Sequence, residues 1–243
     1  MYHTVFEKGL QVVKKIEETQ QESIERAAAL IADAFVKDHH FFVSGSGHSH
    51  TVSEEFYGRA GGLAFVIPIL TTELTLTEHP TKSSYIERLP GYAAILGELY
   101  GIQQGDVILI ASNSGRNAYP VELALYAKEH GASVIAITSL AHSKSCASRA
   151  ACGKRLFELA DVVIDNCGEI GDACLTVEGV ESKMLPTSSM ANAFIIGALS
   201  VLSAKHIHEA GKEVPVFESL NAQLKVNRND EYYQTYTRLY TKE

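Results

Sequence analysis

The 243-residue sequence predicts an α/β fold, a doubly wound five-stranded parallel sheet with a long N-terminal helix. Three observations predict it. Five short segments are continuous Val/Ile-rich runs, which strands covered on both faces require and half-exposed strands do not. Helical patterns separate most of those runs. Residues 4–37 place Phe6, Leu10, Val13, Ile16, Ile24, Ala27, Ile31 and Ala34 at helical spacing on one face, with Gln20 where an apolar residue is expected.

Taken in order, the helix over 4–37 would run on the order of 45 Å, longer than one compact domain needs, so part of its apolar face is expected to meet another subunit. The first four strands are Phe41–Ser44, Ala64–Leu70, Asp106–Ala111 and Ser133–Thr138, and Asp161–Asp165 is the fifth. Val121–His130 is helical and stops at Gly131, where a left-handed residue is wanted. Residues 71–92 are polar with two prolines and read as an excursion away from the sheet. Residues 166–186 are a second excursion, with room for a short strand at Cys174–Val177. A long helix follows Pro186, capped by Thr187 or Ser188 and stopped by Gly211. The division is one domain: a helical extension over 1–38, a core over 39–210 and a polar, tyrosine-rich tail over 211–243.

Composition narrows the function. The net charge is −8 with no Lys/Arg cluster, which argues against a nucleic-acid partner. No run of about 18 apolar residues suggests a membrane span, and no signal-peptide pattern opens the chain, so a cytoplasmic protein is expected. Cys146, Cys152, Cys167 and Cys174 lack zinc-site spacing and read as free thiols; no metal or other cofactor is called for.

Two loops carry the chemistry. Ser44-Gly45-Ser46-Gly47-His48-Ser49 joins a strand to a helical pattern, its glycines allowing a sharp turn and close ligand approach. Ser46 and Ser49 offer hydroxyls, and Ser49 is placed to cap the next helix. Position 50 is His, so the dinucleotide fingerprint is absent. The second loop, Ser112-Asn113-Ser114-Gly115-Arg116-Asn117, runs from a strand end into a helix with Pro120 in its first turn. Free amides and the helix dipole favour an anion there. Two such loops on neighbouring strands make a pocket at the carboxyl edge of the sheet. Serine-lined and lysine-free, it suits a sugar phosphate better than a nucleoside triphosphate with Mg²⁺.

The pair Ser-Gly-Ser-Gly-His-Ser and Ile-Ala-Ser-Asn-Ser-Gly-Arg-Asn, with Val134–Ser139 after it, resembles the sugar isomerase (SIS) domain family over roughly Phe41 to Ala204. The single-domain size is most similar to the phosphoheptose isomerases within that family. The resemblance implies a flavodoxin-like parallel sheet, a phosphate held by Ser112, Ser114 and Asn117 with Asn113 beside them, and a second contact from Ser46, His48 and Ser49. Glu54-Glu55-Phe56-Tyr57-Gly58-Arg59 is similar to a phosphoheptose isomerase motif whose second glutamate is the base, which implies that role for Glu55. Six residues beyond Ser49, Glu55 stands about 9 Å along the helix from its ligand end, within reach of a sugar carbon. Those enzymes also carry an acid histidine on their last helix; the matching stretch here, Thr187–Phe194, has none.

His142, past the Ser133–Thr138 strand, and His79 are the better substitutes for that acid, and Asp172 is another candidate. Thr187 and Ser188 would bind sugar oxygens. The expected ligand is a phosphorylated sugar, and the expected assembly a dimer or tetramer. The activity is either an aldose–ketose isomerase or lyase with a carboxylate base, or a non-catalytic phosphosugar sensor.

Overall fold

A computed structural model of the chain describes residues 1–222 and 228–236. The N-terminal segment is helical from Tyr2 to Val36, broken once: α1 spans Tyr2–Thr19 and α2 spans Gln21–Val36. The break sits on Gln20, whose side-chain Oε1 accepts a hydrogen bond from the backbone N–H of Asp165, 2.9 Å away. The polar residue in the apolar stripe thus marks the break, and the single helix expected over 4–37 becomes two.

The sheet is built from β1 (Phe41–Gly45), β2 (Val66–Ile69), β3 (Val107–Ala111), β4 (Ser133–Thr138) and β5 (Val162–Asp165). All pairs are parallel, in the order β2-β1-β3-β4-β5. Register runs Val43 to Leu109, Leu109 to Ile135 and Ile135 to Val162. Alternation then sorts the side chains. Phe41, Val43, Leu109, Ile135 and Ile164 face one core cluster, with Ile31 of α2. Phe42, Ile67, Ile108, Ile110 and Val134 face the other. Pro68 lies in β2, an edge strand, where a missing N–H costs no interior ladder bond. Asp106, fully buried, ties the lower ends of β1 and β3 together by accepting the N–H groups of His40 and Gln103, each at 2.9 Å.

On the first face, α8 (Ser188–Glu209) packs with α2 and with α3 (Thr51–Phe56). By length and composition α8 matches a membrane span, the one described helix that does. Its Ile195, Ile196, Leu199 and Ile207 fill the core beside α2. On the second face lie α5 (Tyr92–Tyr100) and α6 (Ala118–Glu129), the latter ended as expected by Gly131 at φ +78°.

The first excursion differs from expectation. Residues 71–92 contain a 3₁₀ turn at Thr72–Leu74 and a short helix, α4 (Lys82–Ile86), and they return to the sheet's carboxyl edge instead of leaving it. The second forms a hairpin of β6 (Ala173–Leu175) and β7 (Met184–Pro186). A helix over Leu140–Lys144, α7, follows β4, and α9 (Asn229–Tyr236) packs Tyr232 against Phe217. The rest of the predicted tail, 223–227 and 237–243, lies outside the described residues.

Candidate functional site

The carboxyl ends of β1 and β3 are adjacent in the sheet, so their loops share one crevice. Geometry forces the first turn. A Cβ on Gly45 would lie 2.3 Å from the carbonyl oxygen of Ser49, so only glycine lets the 3₁₀ turn over Gly47–His50 fold back on the strand end. Ser49 lies inside that turn and does not cap α3, whose N-cap is His50, itself without a side-chain cap bond. His48 is exposed, while His50 is buried with Nδ1 on the Gly47 carbonyl and Nε2 at 3.3 Å from Glu54.

At the end of β3, Ser112 Oγ accepts the N–H of Gly115 at 3.1 Å, curling the loop on itself. Gly115 adopts φ +55° against Leu156, where a side chain would collide. The amides of Asn113, Ser114, Arg116 and Asn117 donate to no backbone oxygen among the described residues. They stand at the start of the twelve-residue α6. The Ser114 carbonyl accepts from Ser143 at 2.7 Å, and its own hydroxyl has no partner among the described residues. Unpaired donors at a helix N-terminus are a place for an anion.

Glu87 joins the two loops. It follows α4, and its carboxylate accepts the Ser46 hydroxyl at 2.5 Å and the Asn117 side-chain amide at 2.6 Å. Its main-chain carbonyl accepts the N–H of Tyr119 at 2.9 Å, in the first turn of α6. Arg149 donates to Asn117 Oδ1 at 3.2 Å, extending the chain of bonds from Ser46 through Glu87 and Asn117. Burial pushes the Glu87 carboxyl above the usual carboxylate range, against the hydrogen bonds and the nearby Arg88 and Arg149 charges. Nothing in the local pattern of Tyr-Ile-Glu-Arg distinguishes this glutamate from a solvated one; only the return of the excursion places it.

Three asparagines run across the other side. Asn166, fully buried just past β5, donates to Asn113 Oδ1 at 2.7 Å and to Asn192 Oδ1 at 3.2 Å, and accepts the Gly168 N–H at 3.1 Å. Asn192, on α8, also lines a cavity of about 180 Å³ with Thr51, Ser189 and Glu55. Glu55 is half-buried at its wall and ion-paired with Arg59. The loop of free amides and the Glu55 cavity are therefore linked through two side-chain hydrogen bonds. The polar end of the fifth strand was visible in the sequence; the partners of Asn166 were not.

At the start of α8 the cap comes from elsewhere than expected. Asp172, at φ +70°, accepts the N–H groups of Thr187 and Ser188 at 3.1 and 2.9 Å and the Ser188 hydroxyl at 2.6 Å. Ser188 is thus committed to Asp172, which caps the helix across the hairpin. Thr187 Oγ1 is buried with no partner among the described residues, and so is Nδ1 of His142 on α7. His79 bonds the adjacent Thr81 on the first excursion. The structure brings Ser46 and Asn117 to Glu87, Asn113 to Asn166, and Glu55 to α8. It leaves His48 on the exposed turn. Among the described residues, no group of three His, Cys, Asp or Glu side chains is placed to hold a metal ion.

Comparison with known proteins shows the family and the fold. Residues 5–139 match the family described as the SIS domain. The chain is similar to a UPF0309 protein of Halalkalibacterium halodurans, 41% identical over 227 residues, covering 93% of this chain and 94% of the relative. Its fold is similar to a phosphoheptose isomerase from Francisella tularensis, with TM-score 0.55 at 15% identity over 84% of this chain and 96% of the other. The Vibrio vulnificus NanR protein complexed with ManNAc-6P is similar at TM-score 0.50 and 12% identity, covering 86% of this chain and 66% of the other.

Proposed function

The chain belongs to the SIS domain family, and on that premise we propose that it binds a phosphorylated sugar and acts on it as an aldose–ketose isomerase or related lyase. The observation that carries the reading is the loop of unpaired amides at α6, set in one crevice with the glycine turn of β1. In this reading the phosphate sits on the amides of Asn113, Ser114, Arg116 and Asn117, with the hydroxyls of Ser112 and Ser114 and the side chain of Asn117. Ser46, His48 and Ser49 contact it from the first loop. The sugar then extends past Asn113 and Asn192 towards Glu55. Among the similar folds, one is named a phosphoheptose isomerase and another is complexed with ManNAc-6P, which supports the ligand class.

Isomerisation needs a base beside the carbonyl carbon. Glu55 would remove the proton from the neighbouring carbon, forming an enediol, and return it to the former carbonyl carbon. His142, with its buried unpartnered nitrogen, would exchange the proton between the two oxygens, and Thr187 would hold a sugar hydroxyl. A second reading, a phosphosugar sensor without turnover, is favoured by one observation: the stretch Thr187–Phe194 that opens α8 contains no histidine.

A thermal-shift panel of sugar phosphates, with the parent sugars as controls, tests the binding. At a ligand concentration a hundredfold above Kd, linkage adds about 2.7 kcal/mol, which raises the melting temperature by roughly 5–10 °C for a chain of this size. The rise is expected with the phosphate esters only; none with any of them at millimolar concentration would overturn the reading. A rise without isomerase or lyase turnover would select the sensor.

Self-association is part of the proposal. Tyr2, Phe6 and Leu10 form an exposed stripe on α1. Phe194 and Val201 on α8 are also exposed and wall an apolar groove of about 700 Å³ with Gly197. Apolar patches of this kind are interface material. Sedimentation velocity is expected to show a dimer or tetramer at micromolar concentration, shifted towards monomer by Phe194→Glu. A monomeric wild-type protein would reject it.

A further inference from the structure

Glu87 holds the donors that an incoming anion would want. Its carboxylate takes the Ser46 hydroxyl and the Asn117 side-chain amide, one from each ligand loop, and Asn117 is the N-cap of α6. Its carbonyl takes the Tyr119 amide, two residues further on. A carboxylate anion is therefore already seated against the site, inside the protein. A second anion beside it, in a partly desolvated crevice, is strongly disfavoured unless one of the two charges is neutralised.

We propose that Glu87 is a residue of the ligand site, and that it takes up a proton when an anionic group binds to the loop at α6. This rests on the anion-site reading given above. A protonated Glu87 keeps its place: its carbonyl oxygen still accepts from Ser46 or Asn117, and its new O–H donates to the anion. The residue changes from competitor to donor without moving the excursion that carries it. The burial that raises its pKa works in the same direction. Glu87 thereby sets the charge that the site accepts, favouring a total of one fewer negative charge than carboxylate plus dianion.

The charged groups that face Glu87 are Arg88 beside it and Arg149 through Asn117, both cationic across the neutral pH range. The first loop also carries two imidazoles, those of His48 and His50. The variant Glu87→Gln isolates the contribution of the carboxyl group, since it leaves both histidines in place and keeps an acceptor for Ser46.

The probe is inorganic sulfate, a dianion that does not itself take up a proton at these pH values, followed by equilibrium dialysis of radiolabelled sulfate between about pH 5.5 and 8 at constant ionic strength. Proton uptake by one group makes affinity fall with rising pH, by up to about tenfold per unit. The wild-type protein is expected to show that steep fall. Glu87→Gln, with its melting temperature confirming the fold, is expected to show a shallower one and to bind sulfate about tenfold or more tightly than wild type at pH 8. Parallel pH profiles in the two proteins, or weaker binding by the variant throughout, would overturn the role of Glu87 and leave the anion site standing. Absence of sulfate binding by both proteins at every pH would overturn the anion site itself, and this inference with it.

Discussion

Glu55→Gln is expected to lower turnover by about 10²–10⁴-fold, the usual span for losing a general base, while leaving phosphosugar affinity within a factor of about three. The separation follows from position. Glu55 stands on α3 at the wall of the cavity shared with Ser189 and Asn192, and its carboxylate does not touch the loop of free amides. Gln keeps the shape and one acceptor but cannot carry the proton. The measurement is a steady-state assay on whichever sugar phosphate gives the thermal shift, with calorimetric binding on the same samples. Unchanged turnover would remove Glu55 from the chemistry. A fall in affinity equal to the fall in kcat/KM would make it a binding contact and not the base.

Asn166→Leu is expected to destabilise the protein by about 3 kcal/mol, because it leaves Asn113 Oδ1, Asn192 Oδ1 and the Gly168 N–H without their partner in a buried setting, at roughly 1–3 kcal/mol for each orphaned group and some relaxation. For a domain of this length that is a fall in melting temperature of roughly 6–12 °C. Leucine is close in volume, so packing loss contributes little and the effect reports the polar network. The same substitution releases Asn113 from β5 and α8, so any ligand that still stabilises the variant is expected to do so less than in the wild type. A melting temperature within about 2 °C of wild type would show that the three side chains are independently solvated.

What could be read from the sequence is what is encoded locally. The Val/Ile runs of β1, β3, β4 and β5 needed no partner to be recognised, since burial on both faces leaves its mark in each strand alone. The two turns that follow β1 and β3 were legible for the same reason: glycine where the chain turns, serine and asparagine where amides are left open. Glu87 was missed because its environment is made by residues 41 and 30 positions away, Ser46 and Asn117, and by the return path of a polar segment with no period. Asp172 shows the same failure in another form. A helix cap is ordinarily sought at the residue before the helix, yet here it is supplied across a hairpin by a residue 15 positions upstream. The reading of residues 4–37 as one helix failed at a single side chain, although Gln20 already stood out in the apolar stripe.

That side chain has a consequence for how the molecule is made. Nothing in Glu18-Thr19-Gln20-Gln21 is a helix breaker, so the bend cannot be set by local preference. The bond that receives Gln20 comes from Asp165, 145 residues later. At about 5–20 residues per second on the ribosome, roughly 7–30 s separate the appearance of the two. Through that interval the N-terminal segment has no β5 to bend against and no α8 to cover its apolar face. This segment, made before the sheet it packs on, is thus among the last to reach its final shape, and its apolar face stays uncovered until α8 follows.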